Sequence, residues 1–330
     1  MSTKPLDVTC IGNAIVDVIA RADDAFLAEN GIEKGAMNLI DADRAETLYG
    51  KMGPGIEMSG GSAGNTAAGI ASLGGAAGYI GKVHDDTLGK VFRHDITAMG
   101  VSFETPPTLD GPPTARSLIL VTPDAQRSMN TFLGACVQLS PQDIDKDRIA
   151  VSKVVYLEGY LFDPPEAKKA FVEAAKQAHA SGGKVSLTLS DPFCVDRHRD
   201  AFMELVDHHI DILFANEQEL LSLYQTEDFD DALQKLRWSC ESAGVTRGAK
   251  GSLVLHKDEV HVIDADPVEK VVDTTGAGDL YAAGFLYGYT QDMNPADWGR
   301  AGSVAAAEVI SHYGARPEAD LKELLAARLG

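Results

Sequence analysis

The sequence predicts a single α/β domain over residues 1–330: a central, mostly parallel β-sheet flanked by helices in three layers (α/β/α), with a small β-sheet attached as a lid. Three observations predict it. Short runs such as DVTCIG (7–12), KVVYLEG (153–159), KVSLTLS (184–190) and DILFANE (211–217) are rich in β-branched residues and almost continuously apolar, as strands buried on both faces are. Amphipathic segments such as PEAKKAFVEAAKQAHASGG (165–183) and RDAFMELVDHH (199–209) alternate with them, the rhythm of a parallel sheet wrapped by helices. Two regions, about 14–59 and 101–134, break that rhythm with GAMNLID, RSLILVT and RSMNTFLG, joined by turns such as ETPPTLDGPPTAR. Strands without crossover helices predict a small antiparallel sheet made from discontinuous chain. Covering a ligand is its natural role; a pair of edge hairpins without function is the competing reading.

The formal net charge of −20 argues against a nucleic-acid or acidic-membrane partner, either of which needs a basic surface. A nucleotide would have to be held locally, by backbone amides, a few arginines and a divalent cation. Cys10, Cys136, Cys194 and Cys240 show no CxxC spacing and read as buried thiols in a reducing cytoplasm. VTCIGNAIVDVIA is interrupted by Asn13 and Asp17 and lacks a basic leader, so it fits neither a secretory signal nor a spanning helix. His208-His209 reads as a solvated helix end. The chain is compatible with a monomer or a homodimer.

Along the chain, GNAIVD (12–17) follows the first strand, where open α/β sheets bind ligands, and brings Asn13 and Asp17. Asp17 lies between Val16 and Val18, an unusual setting for a solvated acid, and a carboxylate there suits two vicinal hydroxyls of a sugar; an inward-facing turn acid is the alternative. GGSAGN (60–65) completes neither GxGxxG nor a Walker A loop, and no normal strand pattern precedes it. It opens a helix of small residues in which Gly61 and Gly64 permit close approach and Asn65 can donate and accept. A tight helix–sheet contact explains the same glycines. GGAAGYIGKV (74–83) places Ala76 and Val83 where a Walker A loop needs Gly and Ser or Thr, which excludes that class.

Arg127 falls in the predicted lid, where a closing guanidinium could meet phosphate oxygens; a solvated turn arginine is the commoner case. NEQE (216–219) sets Asn216 and Glu219 on one face of an opening helix. Those hard oxygens suit Mg²⁺, directly or through water, and equally form a capping box. TRGAKGS (246–252) offers Thr246, Gly248 and Gly251 in a turn between strands, suited to a nucleotide and common in hairpins. SLVLHKDEVHVI then reads as two short antiparallel strands around a polar turn.

DTTGAGD (273–279) is the most informative segment. Gly276, Ala277 and Gly278 stand where a helical pattern begins, so backbone N–H groups can converge on an anion. Asp279 beside such a pocket is unhelpful for anion binding alone and points to phosphoryl transfer, with the acid receiving the proton of the attacking hydroxyl. Helix capping by Asp273 or Thr275 is the plain alternative.

Taken in order, GNAIVD, GGSAGN, NEQE, TRGAKGS and DTTGAGD make the chain resemble, over nearly its whole length, the ribokinase-like (phosphofructokinase B) family of carbohydrate and nucleoside kinases. VSLTLSDPF followed by VDHHIDILFANEQE resembles its adenosine kinase branch. The resemblance implies a ribokinase-like fold, an anion hole at Gly276, Ala277 and Gly278, and a catalytic base at Asp279. It implies substrate contacts at Asn13, Asp17, Gly61, Gly64 and Asn65, with an aromatic over the base at Phe162 or Tyr160. It further implies a phosphate contact at Arg127, nucleotide contacts at Asn216, Thr246, Gly248 and Gly251, and Mg²⁺ organised by Asn216 and Glu219. A monovalent cation, K⁺, is implied near Asp273, Thr275 and HYGARPE, where Glu318 is atypical. WSCESAG and GYLFDPP depart from the family pattern, the first as a poor apolar strand and the second at the base-stacking segment. The implied reaction is ATP-dependent phosphorylation of a ribonucleoside 5′-hydroxyl, adenosine to AMP in purine salvage. A ribose or fructose kinase, an inosine or guanosine kinase, and a non-catalytic nucleoside sensor are the alternatives.

Overall fold

A computed structural model describes residues 6–124, 126–162 and 164–329. Fourteen strands are described: β1 (Leu6–Ile11), β2 (Ile15–Arg21), β3 (Met37–Leu39), β4 (Gly55–Ser59), β5 (Ala77–Ile80), β6 (Ser102–Phe103), β7 (Ala115–Val121), β8 (Arg127–Phe132), β9 (Ser152–Glu158), β10 (Lys184–Thr188), β11 (Ile212–Asn216), β12 (Ser242–Thr246), β13 (Ser252–His256) and β14 (Glu259–Ile263). Twelve helices accompany them: α1 (Asp24–Glu29), α2 (Ala42–Tyr49), α3 (Ser62–Ser72), α4 (Thr87–Ala98), α5 (Lys146–Ala150), α6 (Pro165–Ala180), α7 (Pro192–His209), α8 (Glu217–Tyr224), α9 (Phe229–Ser239), α10 (Ala277–Thr290), α11 (Pro295–Val309) and α12 (Leu321–Leu329).

Nine strands form the main sheet in the order β14-β13-β12-β11-β10-β9-β1-β5-β6, parallel except where β13 and β14 run antiparallel to their neighbours. Its central strands are apolar on both faces because both faces are covered. Val8 and Cys10 of β1, with Val154 and Tyr156 of β9, enter the core shared with α3, α10 and α11, while Ile11, Val155 and Leu157 point to the core shared with α6 and α7. SAGVT, the strand that looked too weak, is β12. Small residues are required there: a Cβ on Gly244 would lie 3.0 Å from the Tyr281 ring and 3.1 Å from that of Phe214.

The five-stranded second sheet has the order β3-β8-β7-β2-β4. It is mixed, which corrects the antiparallel expectation: β2 pairs β7 and β3 pairs β8 in parallel, while β2–β4 and β7–β8 are antiparallel. Helices were also missed, since α1 and α2 lie within the first of the two regions. Between β2 and β7 the chain passes through the main sheet as β5 and β6, a long return that brings β7 in parallel to β2. β4 runs directly into GGSAGN, so a strand does precede that motif. Its partner is the small sheet rather than the main one, and its five residues lack an apolar signal. Among the described residues no disulfide forms, and no helix is long and apolar enough to cross a membrane.

Candidate active site

Asn13, Asn216 and Thr246 lie at or just after the carboxyl ends of parallel strands of the main sheet, and Gly276, Ala277, Gly278 and Asp279 at the start of α10. Gly276 caps α10 in the left-handed region, at φ 79°, where an added Cβ would fall 2.7 Å from that of Ala315. Glycine is needed there twice over. No heavy atom lies within 4 Å of the Cβ that Gly278 lacks, so the helix N-terminus formed by Gly276, Ala277 and Gly278 opens outward. Asp279 sits in its first turn, held by α3: Ser62 Oγ donates to Oδ1 at 2.6 Å, Asn65 Nδ2 donates to Oδ2 at 2.8 Å and Thr66 Oγ1 donates to the backbone carbonyl at 3.2 Å. Burial pushes its carboxyl above the usual range, against those bonds and the nearby Arg316 charge. α3 can come this close because a Cβ on Gly69 would be 2.6 Å from Leu280 and 2.7 Å from Ala283.

Asp17, on β2, faces the turn between β4 and α3. A Cβ on Gly60 would lie 2.4 Å from its carboxyl carbon, and one on Gly61 would lie 2.3 Å from the Asn13 carbonyl. The paired glycines therefore let backbone lie directly over Asn13 and Asp17. Asn65 Oδ1 is buried with no partner among the described residues, an acceptor that a donor on a ligand would satisfy. Gly64 adjoins Arg316, whose Nη2 would sit 3.4 Å from its added Cβ.

Glu158, at the end of β9, is a site residue that sequence reasoning missed. It is 1% exposed and accepts from Asn13 Nδ2 at 2.8 Å, Asn13 N at 3.3 Å and Ala63 N at 2.8 Å, tying the β1–β2 turn to α3. Its signal was an acid closing an apolar run, KVVYLEG. Burial raises Glu158 to about 7 and Asp17 to about 6, the latter against Arg316 and Arg127. A carboxyl whose folded pKa is raised stabilises the fold below its unfolded pKa, and that contribution is lost as pH climbs through the folded value. For Glu158 the window runs from 4.5 to about 7. Thermal melts of the ligand-free protein should fall across it, and Glu158→Gln should flatten the slope by on the order of 1–3 kcal/mol. Equal slopes would show that Glu158 does not titrate there.

Arg127, the first residue of β8, reaches Asp273 Oδ2 with Nη1 at 2.5 Å, while its Nε and Nη2 are buried without partners among the described residues. Asp273 also accepts from Thr275 N and Oγ1, at 3.0 and 2.8 Å, and from Gly314 N at 3.1 Å. Both Asp273 carboxylate oxygens are thereby engaged.

Asn216 and Glu219 form the capping box of α8: Asn216 Oδ1 accepts from Glu219 N at 2.9 Å, and Glu219 accepts from Asn216 N at 2.9 Å and Nδ2 at 2.6 Å. Glu219 is 5% exposed and raised to about 7 by burial. Thr246 pairs in register with Asn216 at the end of β12. The following turn places Gly248 at φ 57° with open space beside it, and Gly251 at φ 78°, where a Cβ would strike the Ile263 carbonyl at 2.0 Å. Gly251 thus serves the hairpin. The expectation of Phe162 over the base is corrected: it is 2% exposed and stacks on Phe202 at 4.3 Å, inside the core. Tyr160, 36% exposed, and Phe193, 76% exposed, are aromatic rings at the surface of the segments around 160 and 193.

Fold and site together fit a phosphotransferase with an alcohol acceptor: an open helix N-terminus and, beside it, an acid held by Ser62 and Asn65. Comparison with known proteins agrees. The chain matches the pfkB family carbohydrate kinase profile over residues 6–321 and belongs to that family. The crystal structure of adenosine kinase from Sinorhizobium meliloti is 58% identical, with a TM-score of 0.90 and 99% of both chains covered. That of a probable sugar kinase from Rhizobium etli CFN 42 is 54% identical, with a TM-score of 0.91 and 99% of both chains covered. An ATP-dependent ribose-1-phosphate kinase of Halopiger xanaduensis is 32% identical over 242 residues, covering 72% of this chain and 75% of that protein.

Proposed function

We propose that this kinase transfers the γ-phosphoryl group of ATP to the 5′-hydroxyl of a ribonucleoside, with adenosine as its acceptor and AMP and ADP as products. The observation that carries the reading is the Asp279 carboxylate, fixed by Ser62 and Asn65 at the open N-terminus of α10. Asp17 feels the Asp279 charge, and Asn65, which holds Asp279, has a buried Oδ1 without a partner among the described residues. Acceptor groups of this kind call for a ligand rich in donors, and vicinal ribose hydroxyls supply them. The similarity to the Sinorhizobium enzyme supports adenosine, and Tyr160 and Phe193 are the rings available to a purine.

Each residue then has a role. Asp17, Asn65 and Asn13, the last oriented by Glu158, hold the ribose. Asp279 accepts the hydroxyl proton as the new O–P bond forms and the bond to the ADP oxygen breaks; an aspartate is too weak a base to remove it earlier. The Gly276–Gly278 amides and the α10 dipole, roughly half a positive charge, face the transferred group. Two Arg127 nitrogens without a partner among the described residues, and the glycine cradle, suit phosphate oxygens. Mg²⁺, when bound, neutralises phosphate charge; Glu219 and Asn216, already bonded to one another, would hold its waters.

A second reading, a sugar kinase, is favoured by the names of two of the relatives, a probable sugar kinase and a ribose-1-phosphate kinase. A coupled assay with adenosine, inosine, guanosine, ribose and fructose decides. Adenosine is expected to give the highest kcat/KM, and equal or better turnover of ribose would overturn the nucleoside reading.

A further inference from the structure

Three consecutive residues of the connection between α11 and α12 touch three separate parts of the site. Gly314 N donates to Asp273, and Ala315 packs beneath Gly276. Arg316, 7% exposed, reaches the junction where β4 of the small sheet runs into α3 of the main layer. Its Nε donates to the Ser59 carbonyl at 3.1 Å, Nη2 donates to the same carbonyl at 2.7 Å and to Ser59 Oγ at 3.0 Å, and Nη1 donates to the Gly64 carbonyl. Ser59 adjoins Gly60, against which the Asp17 carboxylate lies; Gly64 adjoins Asn65, which holds Asp279. One buried guanidinium therefore grips the backbone beside the support of each acid. No motif marks this arginine, and its burial depends on carbonyls more than 250 residues away, 257 and 252 in the two cases.

We propose that Arg316 is a positioning residue of the phosphoryl-transfer site: it locks the β4–α3 junction so that Asp17 and Asp279 keep a fixed separation, and it is the buried counter-charge shared by both. A planar fork with five donors makes four hydrogen bonds here, to two carbonyls and a hydroxyl, one more than the three donors of an ammonium supply. Other groups in this field are accounted for. Asp17 also faces Arg127 from β8 and Asp279 from α10. Asp279 faces Ser62 and Asn65 from α3, and Glu158 and Tyr156 from β9 feel its charge. Asp95 of α4 accepts from Ser59 N and Oγ, at 2.7 and 2.6 Å, and lies on the far side of the same junction. Removing Arg316 leaves Arg127 as the remaining cation facing Asp17 among these groups.

The inference rests on Asp279 as proton acceptor, not on which acceptor is phosphorylated. Arg316→Met and Arg316→Lys are to be compared with wild type by kcat and kcat/KM against pH and by thermal melting. Arg316→Met should lower the kcat plateau by about 10²-fold and move the acid limb to higher pH by on the order of one unit. Arg316→Lys, which keeps the charge and loses the fork, should hold the limb near its wild-type position while recovering only part of the plateau. A wild-type plateau and limb in both variants, with only a lower Tm, would reduce Arg316 to a structural strut. If the Met variant fails to fold, a wild-type plateau in Arg316→Lys alone overturns the proposal. Failure of the proton-acceptor reading shows separately, as normal turnover in Asp279→Asn.

Discussion

Asp279→Asn is expected to fold, to bind nucleoside and to lose about 10²–10⁴-fold in kcat, the span usual for a positioned general base. The amide can keep both side-chain contacts, its oxygen accepting from Asn65 Nδ2 and its NH₂ donating to Ser62 Oγ. What it cannot do is take a proton. Geometry at the α10 N-terminus should persist, so KM for the nucleoside should change little while the chemical step fails. Thermal stability supplies a control with a definite sign. Burial raises the Asp279 pKa, so its ionised form opposes folding at neutral pH, and replacing it with a neutral isostere should leave Tm at pH 7 unchanged or higher. A large fall in Tm would mean that lost activity reflects lost structure. Steady-state kinetics and melts on the same preparation separate the two, and kcat within threefold of wild type would remove Asp279 from the mechanism.

The main sheet and the α10 turn were legible because local chemistry determines them. Continuous apolar runs of β-branched residues require burial on both faces, and two glycines ahead of a helical pattern require an open N-terminus. NEQE carried two readings, and the capping box is realised without removing the cation reading, because a buried Glu219 retains acceptor capacity. Long-range partners decided everything that was misread. β12 is a strand of small residues because Tyr281, 37 positions after Gly244, fills the space above it. The small sheet is mixed because chain passing through the main sheet separates β2 from β7. Phe162 and Tyr160 are two residues apart and equally aromatic, yet the short helical turn at 159–162 buries one ring against Phe202 and leaves the other at the surface. Glu158 carried only a weak local marker, an acid closing an apolar run, and Arg316 none, since an acid ending a strand and an arginine in a loop are ordinary until their partners are known.

Arg127→Met is expected to lower kcat by about 10²–10³-fold, the usual cost of removing one donor to developing charge, with KM for the nucleoside nearly unchanged. The expectation comes from an imbalance in the bonds of that guanidinium. Nη1 reaches Asp273 at 2.5 Å, whereas Nε and Nη2 are buried without partners among the described residues. Buried guanidinium donors with unused bonding capacity suit phosphate oxygens, which they meet through charge-assisted bonds. Asp273 in turn keeps three other donors, from Thr275 N and Oγ1 and Gly314 N, so it is not left as an unsupported charge when Arg127 is lost. Loss of the Asp273 bond and relief of the two orphan donors oppose one another, and Tm should move by only a few degrees. Arg127→Lys distinguishes charge from geometry, since one ammonium can meet Asp273 or an incoming phosphate but cannot span both as a planar fork does. It should recover only part of the lost rate. Kinetics at saturating nucleoside with ATP varied are the measurement. An Arg127→Met enzyme within threefold of wild-type kcat would show that the two free nitrogens serve the fold of the small sheet and not the phosphoryl group.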